Sequence, residues 1–248
     1  MEWKLEYIFT FIIGLVIGSF LNVCIYRIPR NKSIVFPPSG CTKCGHRLQW
    51  WELIPVLSFL ILRGRCKECR EPVSWRYPVV EILTGLLFLI SYLLWGMAWE
   101  TLIAILFISF IIPISFIDLE FQIIPDKISL LGIIVGLLLN YQNIIDRSIG
   151  IVVGFGIIFL IILLSRGGMG MGDAKLMAMF GAFWGWKVVL YSLFIGSIFG
   201  TVIGLYLIIT KKITRKTPIP FGPYLCMGAL MAISIQDYII RWWLIFLN

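Results

Sequence analysis

The chain has 248 residues, 60% of them apolar and only 14% charged, with a mean hydropathy of +0.96 and a net charge of +8. Soluble domains carry about 25% charged residues, so this composition excludes an ordinary water-soluble globule and makes the bilayer the main solvent. Length alone would allow one or two domains, but repeated apolar runs make membrane spans the more informative unit.

Tyr7 to Tyr26 is the first run, and its twenty residues reach about 30 Å at 1.5 Å per residue, the thickness of a hydrocarbon core. It is too long for a signal-peptide core, no small-residue cleavage site follows it, and its basic residues come after it, so a retained span is expected. The next segment, Arg27 to Arg76, holds ten basic residues against three acidic ones, Glu52, Glu68 and Glu71, which is +7 of the total +8. Positive loops stay in the cytoplasm, which orients the chain with its N-terminus outside. Anionic lipid headgroups account for this charge beside a span, so no nucleic-acid partner is expected. Trp51 to Leu62 inside the loop reads as an interfacial or partly inserted helix.

Apolar runs follow at Val79–Trp95, Thr101–Ile117, Ile128–Leu139 and Ser148–Leu164. Leu176 to Ile209 is interrupted only by Lys187, and as one rod it would extend about 51 Å, so two spans fit it better. A last run covers Phe221 to Ile235, and the tail beyond it carries Arg241, Trp242 and Trp243 as interface anchors. The expectation is an all-α, polytopic bundle of about eight spans. Counted from an outside N-terminus, the loops at 118–127 and 165–175 and the cluster Lys211, Lys212, Arg215 and Lys216 then share the cytoplasmic side with the first basic loop.

Cys41-Thr-Lys-Cys44 and Cys66-Lys-Glu-Cys69 form two CxxC pairs with 21 residues between them, close to the spacing of a four-cysteine zinc site. Arg65, Lys67 and Arg70 favour thiolates over thiols, and a reducing cytoplasm disfavours disulfides. Zinc is the first reading, an iron-sulfur cluster or a redox dithiol the alternatives. A four-cysteine zinc has no open position, so it folds the loop and catalyses nothing. His46 reads as a surface neighbour, and Cys24 and Cys226 as packing residues.

Asp118 ends the third span, and Asp173 closes Gly170-Met-Gly-Asp after glycines at 167 and 168. Carboxylates at the rim of the hydrocarbon are costly and usually functional. Two brought together share a proton, so that one activates water while the other protonates the scissile carbonyl oxygen. Taken singly each remains ambiguous, since an Asp before a helix is also an N-cap; Asp126 after Pro125 reads mainly as that cap. Lys175 has two readings, tuning an aspartate or capping the loop. The glycine-rich loop matches neither GxGxxG nor a P-loop.

Together these residues resemble the type IV prepilin peptidases, bifunctional membrane enzymes that cleave the leader of prepilins and pseudopilins and then methylate the new N-terminus. The likeness runs over Gly18-Ser-Phe-Leu-Asn-Val23 with Arg27, both CxxC pairs, Arg76-Tyr-Pro-Val-Val-Glu81, Asp118 with Pro125-Asp126, Gly170-Met-Gly-Asp-Ala-Lys175 and Pro220-Phe-Gly-Pro223. Presenilin-like proteases share GxGD but lack the cysteine loop. The resemblance implies that Asp118 and Asp173 are the catalytic pair, that residues 1–100 with the zinc loop serve methyl transfer from S-adenosylmethionine, and that 101–248 form the peptidase bundle. It also implies prepilin or pseudopilin substrates and a bacterial cytoplasmic membrane. Glu81 is a candidate for contact with substrate or methyl donor, or else a partner of Arg76; Asn22 is a candidate for the same contact, and Asn22 and Ser19 for interhelical hydrogen bonds. The competing class is a non-enzymatic scaffold that docks a cytoplasmic partner through the zinc loop, with a transporter as a weaker third.

Overall fold

The computed structural model describes residues 3–165, 169–211 and 219–246, with residues 3–4 and 236–246 described by backbone alone. Gly167, Gly168, Lys212, Arg215 and Lys216, and the side chains of Arg241, Trp242 and Trp243, lie outside the described residues. Among the described residues every regular element is helical, with the α-helices α1 Trp3–Arg27, α2 Leu57–Ile61, α3 Arg76–Trp95, α4 Trp99–Phe121, α5 Asp126–Leu139, α6 Ile144–Leu164, α7 Met171–Ile209 and α8 Gly222–Phe246. Local chemistry places the ends. Pro78 stands in the first turn of α3, where its missing N–H breaks no helical bond. Gly96, at φ 65°, closes the same helix by returning its N–H to the Tyr92 carbonyl.

The chain forms two compact units, Met1–Pro113 and Ile114–Asn248, and the division falls at the proline inside α4. In the first unit α1 packs on α3. Gly14 faces Gly85 so closely that a Cβ on Gly14 would stand 2.6 Å from the Gly85 Cα. Small residues at a crossing let two apolar helices gain van der Waals contact that lipid cannot supply. In the second unit α7 is the centre, with α5, α6 and α8 packed on it.

Large apolar side chains point outward along these helices; Leu5 is 76% and Val152 70% exposed. Polar groups such as Asn22, Glu81, Asp118 and Asp173 are buried. That inversion of the soluble pattern fits acyl chains as the surrounding medium. Among the described residues five helices are long and apolar enough to cross a bilayer, and the protein is a multi-pass membrane helix bundle. Against the expected eight, α5 has 14 residues and spans about 21 Å, short of a 30 Å core. The apolar helix Gly222–Ile235 is likewise short.

α7 runs for 39 residues, yet Gly185 inside it has φ 79° and ψ 178°. Ser192 Oγ lies 3.8 Å from Met177 Sδ, fifteen residues away. A straight helix would hold them about 22 Å apart, so the chain reverses at Gly185 and residues 171–184 run antiparallel to 186–209. The apolar run read as two segments is therefore a hairpin. Only glycine suits the turn. Its φ is left-handed, and a Cβ there would overlap the Asp146 carboxylate and stand 2.7 Å from Arg147 Nη1. Gly185→Ala is expected to cost about 3 kcal/mol or more from strain and overlap together, measured as a lowered midpoint of unfolding in detergent.

Candidate active site and metal centre

The second unit assembles one acidic site from three elements. Asp118 lies in the last turn of α4 and is 5% exposed; its Oδ2 accepts the Gly222 N–H at 2.9 Å, from the start of α8. Asp173 sits in the first turn of α7 and is 8% exposed; its Oδ2 accepts the Gly170 N–H at 3.3 Å. Each carboxylate is thus held by a glycine amide, and the two are close enough to act on each other electrostatically. Asp173 closes its own helix through the Gly170 N–H, and that contact leaves its carboxylate within the electrostatic reach of Asp118.

Glycines let this site close. A Cβ on Gly222 would stand 2.8 Å from Asp118 Oδ2, and one on Gly172 2.8 Å from Ile124 Cβ. Ile124 therefore packs under both motif loops. The motif Pro220-Phe-Gly-Pro223 is visible in the sequence, but the hydrogen bond from Gly222 to a carboxylate 104 positions earlier is not.

Asp126 is not a cap. Pro125 occupies the N-cap position of α5 and no side chain caps the helix. Instead Asp126 Oδ1 accepts from Lys175 Nζ at 2.6 Å, tying α5 to α7 and giving Lys175 a partner other than the buried pair. The Asp126 side chain is 59% exposed, and exposed ion pairs contribute about 0–1 kcal/mol. Asp126→Asn is expected to lower stability by less than about 1 kcal/mol, read from a denaturation midpoint, a far smaller effect than at Gly185.

The first unit holds the cysteines. Sγ atoms of Cys41, Cys44, Cys66 and Cys69 all lie within 4.8 Å of one another. Cys41–Cys69 is 3.8 Å and Cys44–Cys66 3.9 Å. A tetrahedron with metal–sulfur bonds of about 2.3 Å has edges near 3.8 Å, so the four thiols fit a tetrahedral cation. Antiparallel bridges Gly40–Arg47 and Arg65–Pro72 form the two knuckles. The Cys44 and Lys43 amides draw Cys41 down to about 6. Cys69 is pushed up to about 12: the Glu71 amide pulls it down, but desolvation and the neighbouring sulfurs outweigh that pull. One thiolate thus opposes the next, which is the charge that a divalent cation neutralises.

His46 stays outside the sulfur cluster, as expected, but has a partner that the sequence did not show. Its Nε2 lies 3.1 Å from Glu52 Oε2, which also accepts the Gln49 N–H at 2.8 Å. Glu52 is buried. Burial works against its charge, but the Gln49 amide and His46 prevail and hold the carboxyl below its usual range. Glu52 three residues after Gln49 is a capping-box spacing, the signal that could have revealed it.

Glu81, in the first turns of α3, is 6% exposed and accepts the Val56 N–H at 2.8 Å and a bond from the Ser19 side chain. Those are its partners among the described residues, so the pairing with Arg76 is not formed. Asn22 in α1 is 1% exposed; its Nδ2 donates to the Tyr77 carbonyl at 3.0 Å. Cys24 and Cys226 are buried, in line with packing roles.

Comparison with known proteins adds two family matches. Residues 12–95 match the bacterial Peptidase A24 N-terminal domain, and residues 105–205 the type IV leader peptidase family. A prepilin leader peptidase/N-methyltransferase of Pseudomonas putida is 35% identical over 92% of this chain and 90% of its own length. Proteins of the same name from Myxococcus xanthus and Aeromonas salmonicida are 39% and 34% identical, covering 82% and 98% of this chain and 63% and 95% of their own lengths. No solved structure matches the chain. The chain belongs to the type IV leader peptidase family and carries that family's bacterial N-terminal domain ahead of the peptidase region.

Proposed function

We propose that this protein is an aspartyl endopeptidase of the bacterial cytoplasmic membrane that removes the leader of type IV prepilins or pseudopilins and then methylates the new N-terminal residue with S-adenosylmethionine. The observation that carries the reading is the pair Asp118 and Asp173, buried in one unit and each held by a backbone amide.

In this reading the two carboxylates hold one proton between them. The unprotonated one takes a proton from water as the oxygen attacks the scissile carbonyl, and the protonated one gives its proton to the carbonyl oxygen. When the tetrahedral intermediate collapses, the carboxyl that took the water's proton gives it to the leaving amine, and the other carboxylate takes back the hydroxyl proton as the carbonyl re-forms, which restores the one-proton pair. Holding both groups rigid on helix ends supplies orientation in advance. The +7 loop supports placing the chemistry at the cytoplasmic face.

The four cysteines would hold a structural zinc, which when bound supplies fold and no open coordination position. Residues 1–100 would serve methyl transfer and 101–248 proteolysis. Methyl transfer needs a deprotonated amine aligned with the donor's methyl group, so it calls for orientation and not for an aspartyl pair. The test is to incubate purified protein with a pilin-like precursor, with and without S-adenosylmethionine, and weigh the products. Shortened precursor is expected in both mixtures and an added methyl group only with the donor; intact precursor in both would overturn the reading.

A further inference from the structure

In the first unit the buried side chains of Asn22 and Glu81 lie in a polar cluster with the half-buried Ser19 and Val56, and the bonding of that cluster is incomplete. The Asn22 amide spends its N–H on the Tyr77 carbonyl, and its Oδ1 is buried with no partner. Gly18, one residue before Ser19, faces the Glu81 backbone so closely that a Cβ would stand 2.8 Å from the Glu81 Cα, which brings this turn of α1 against this turn of α3. Glu81 is a carboxylate 6% exposed whose partners are one amide and one hydroxyl, neither of them charged. A buried charge without a countercharge is retained where a ligand supplies one.

Strain marks the same place. Val56, whose N–H reaches Glu81, stands at φ 61° and ψ −49°. A β-branched residue in that region is a true outlier, and such strain concentrates at binding and catalytic sites. The loop is therefore bent against its own preference to aim an amide at this carboxylate.

We infer that this cluster binds the amino-acid end of the methyl donor, with Glu81 and the Asn22 Oδ1 accepting from its ammonium group. The inference rests on the methyl-transfer reading above. An ammonium offers three N–H donors and no acceptor, which matches a carboxylate with spare lone pairs and an orphaned carbonyl oxygen whose own amide is tied to Tyr77, one turn from Glu81 in α3. The donor's other positive group, the sulfonium, is a poorer match. Its charge disappears as the methyl leaves, so a carboxylate against it would stabilise the reactant more than the transition state. The ammonium keeps its charge throughout.

Three compounds separate these possibilities in calorimetric titrations of the full-length, metal-loaded protein in detergent. S-adenosylmethionine and S-adenosylhomocysteine both carry the ammonium; methylthioadenosine lacks the whole amino-acid end. Glu81→Gln is expected to weaken the first two by about tenfold or more and to leave the third unchanged, with an unaltered melting temperature. Asn22→Leu removes the orphaned oxygen and is expected to act in the same direction. Ser19→Ala, a smaller change that removes only the hydroxyl held by Glu81, shows the same selective weakening to a lesser degree and serves if the larger substitutions fail to fold. Equal affinity for S-adenosylmethionine in wild type and all folded variants would overturn the placement while leaving the methyl-transfer reading intact, as would an equal loss for methylthioadenosine. Wild-type protein that binds none of the three would overturn the methyl-transfer reading, and this site with it.

Discussion

Asp118→Asn and Asp173→Asn, each made alone, are expected to reduce leader cleavage by about 10³-fold or more while the protein stays folded. General acid and base steps together contribute on the order of 10²–10⁴ each, and an amide can neither take the water's proton nor deliver one to the carbonyl oxygen. The fold should survive because asparagine keeps the shape and an acceptor oxygen. The Gly222 N–H at Asp118 and the Gly170 N–H at Asp173 retain a partner. The check is a precursor-cleavage time course alongside a melting curve for each variant. Near-normal turnover in either one would remove that aspartate from the chemistry. Methylation of a substrate supplied already cut is expected to persist in Asp118→Asn under the proposed division of the chain, in which methyl transfer calls for no aspartyl pair.

The second large effect concerns the cysteine loop. Cys66→Ser is expected to abolish tight metal binding and to open the loop to protease. Structural zinc sites supply on the order of 10–16 kcal/mol of apparent binding free energy in small peptides, and here the segment around Cys41–Cys69 has little regular structure beyond two short bridges and short helices. Metal analysis should give one zinc per chain in the wild type and a much smaller amount in the variant. Limited proteolysis should cut the variant between α1 and α3. Methylation should fall before cleavage does, since the loop belongs to the same unit as Glu81. A metal-free wild type with four readily alkylated thiols would contradict this.

Much of this architecture is legible in the residues because its determinants are local. Hydropathy over twenty residues places α1 and α3, and CxxC spacing fixes the tetrahedral sulfur cluster before any fold is known. What escapes the sequence depends on tertiary geometry. Two spans are legible in the run from Leu176 to Ile209 from its length and Lys187, but the turn residue is not, because Gly185 is one of several glycines in an apolar run. The Gly222–Asp118 bond joins residues 104 apart through a backbone N–H, which carries no residue-type signature. Asp126 misleads for a different reason: an aspartate after proline looks like a cap, yet the proline takes the cap position and the carboxylate turns to Lys175. Glu81 has the converse history. Arg76 lies five residues before it and suggests a local pair, whereas Val56 and Ser19 are its partners.

The most direct test of the whole account is mass measurement of a pilin-like precursor after incubation with wild type, Asp118→Asn or Asp173→Asn in the presence of S-adenosylmethionine. Wild type is expected to give a leaderless product one methyl group heavier, and either variant to leave the precursor uncut. Leaderless product formed at wild-type rate by a folded single-aspartate variant would contradict it.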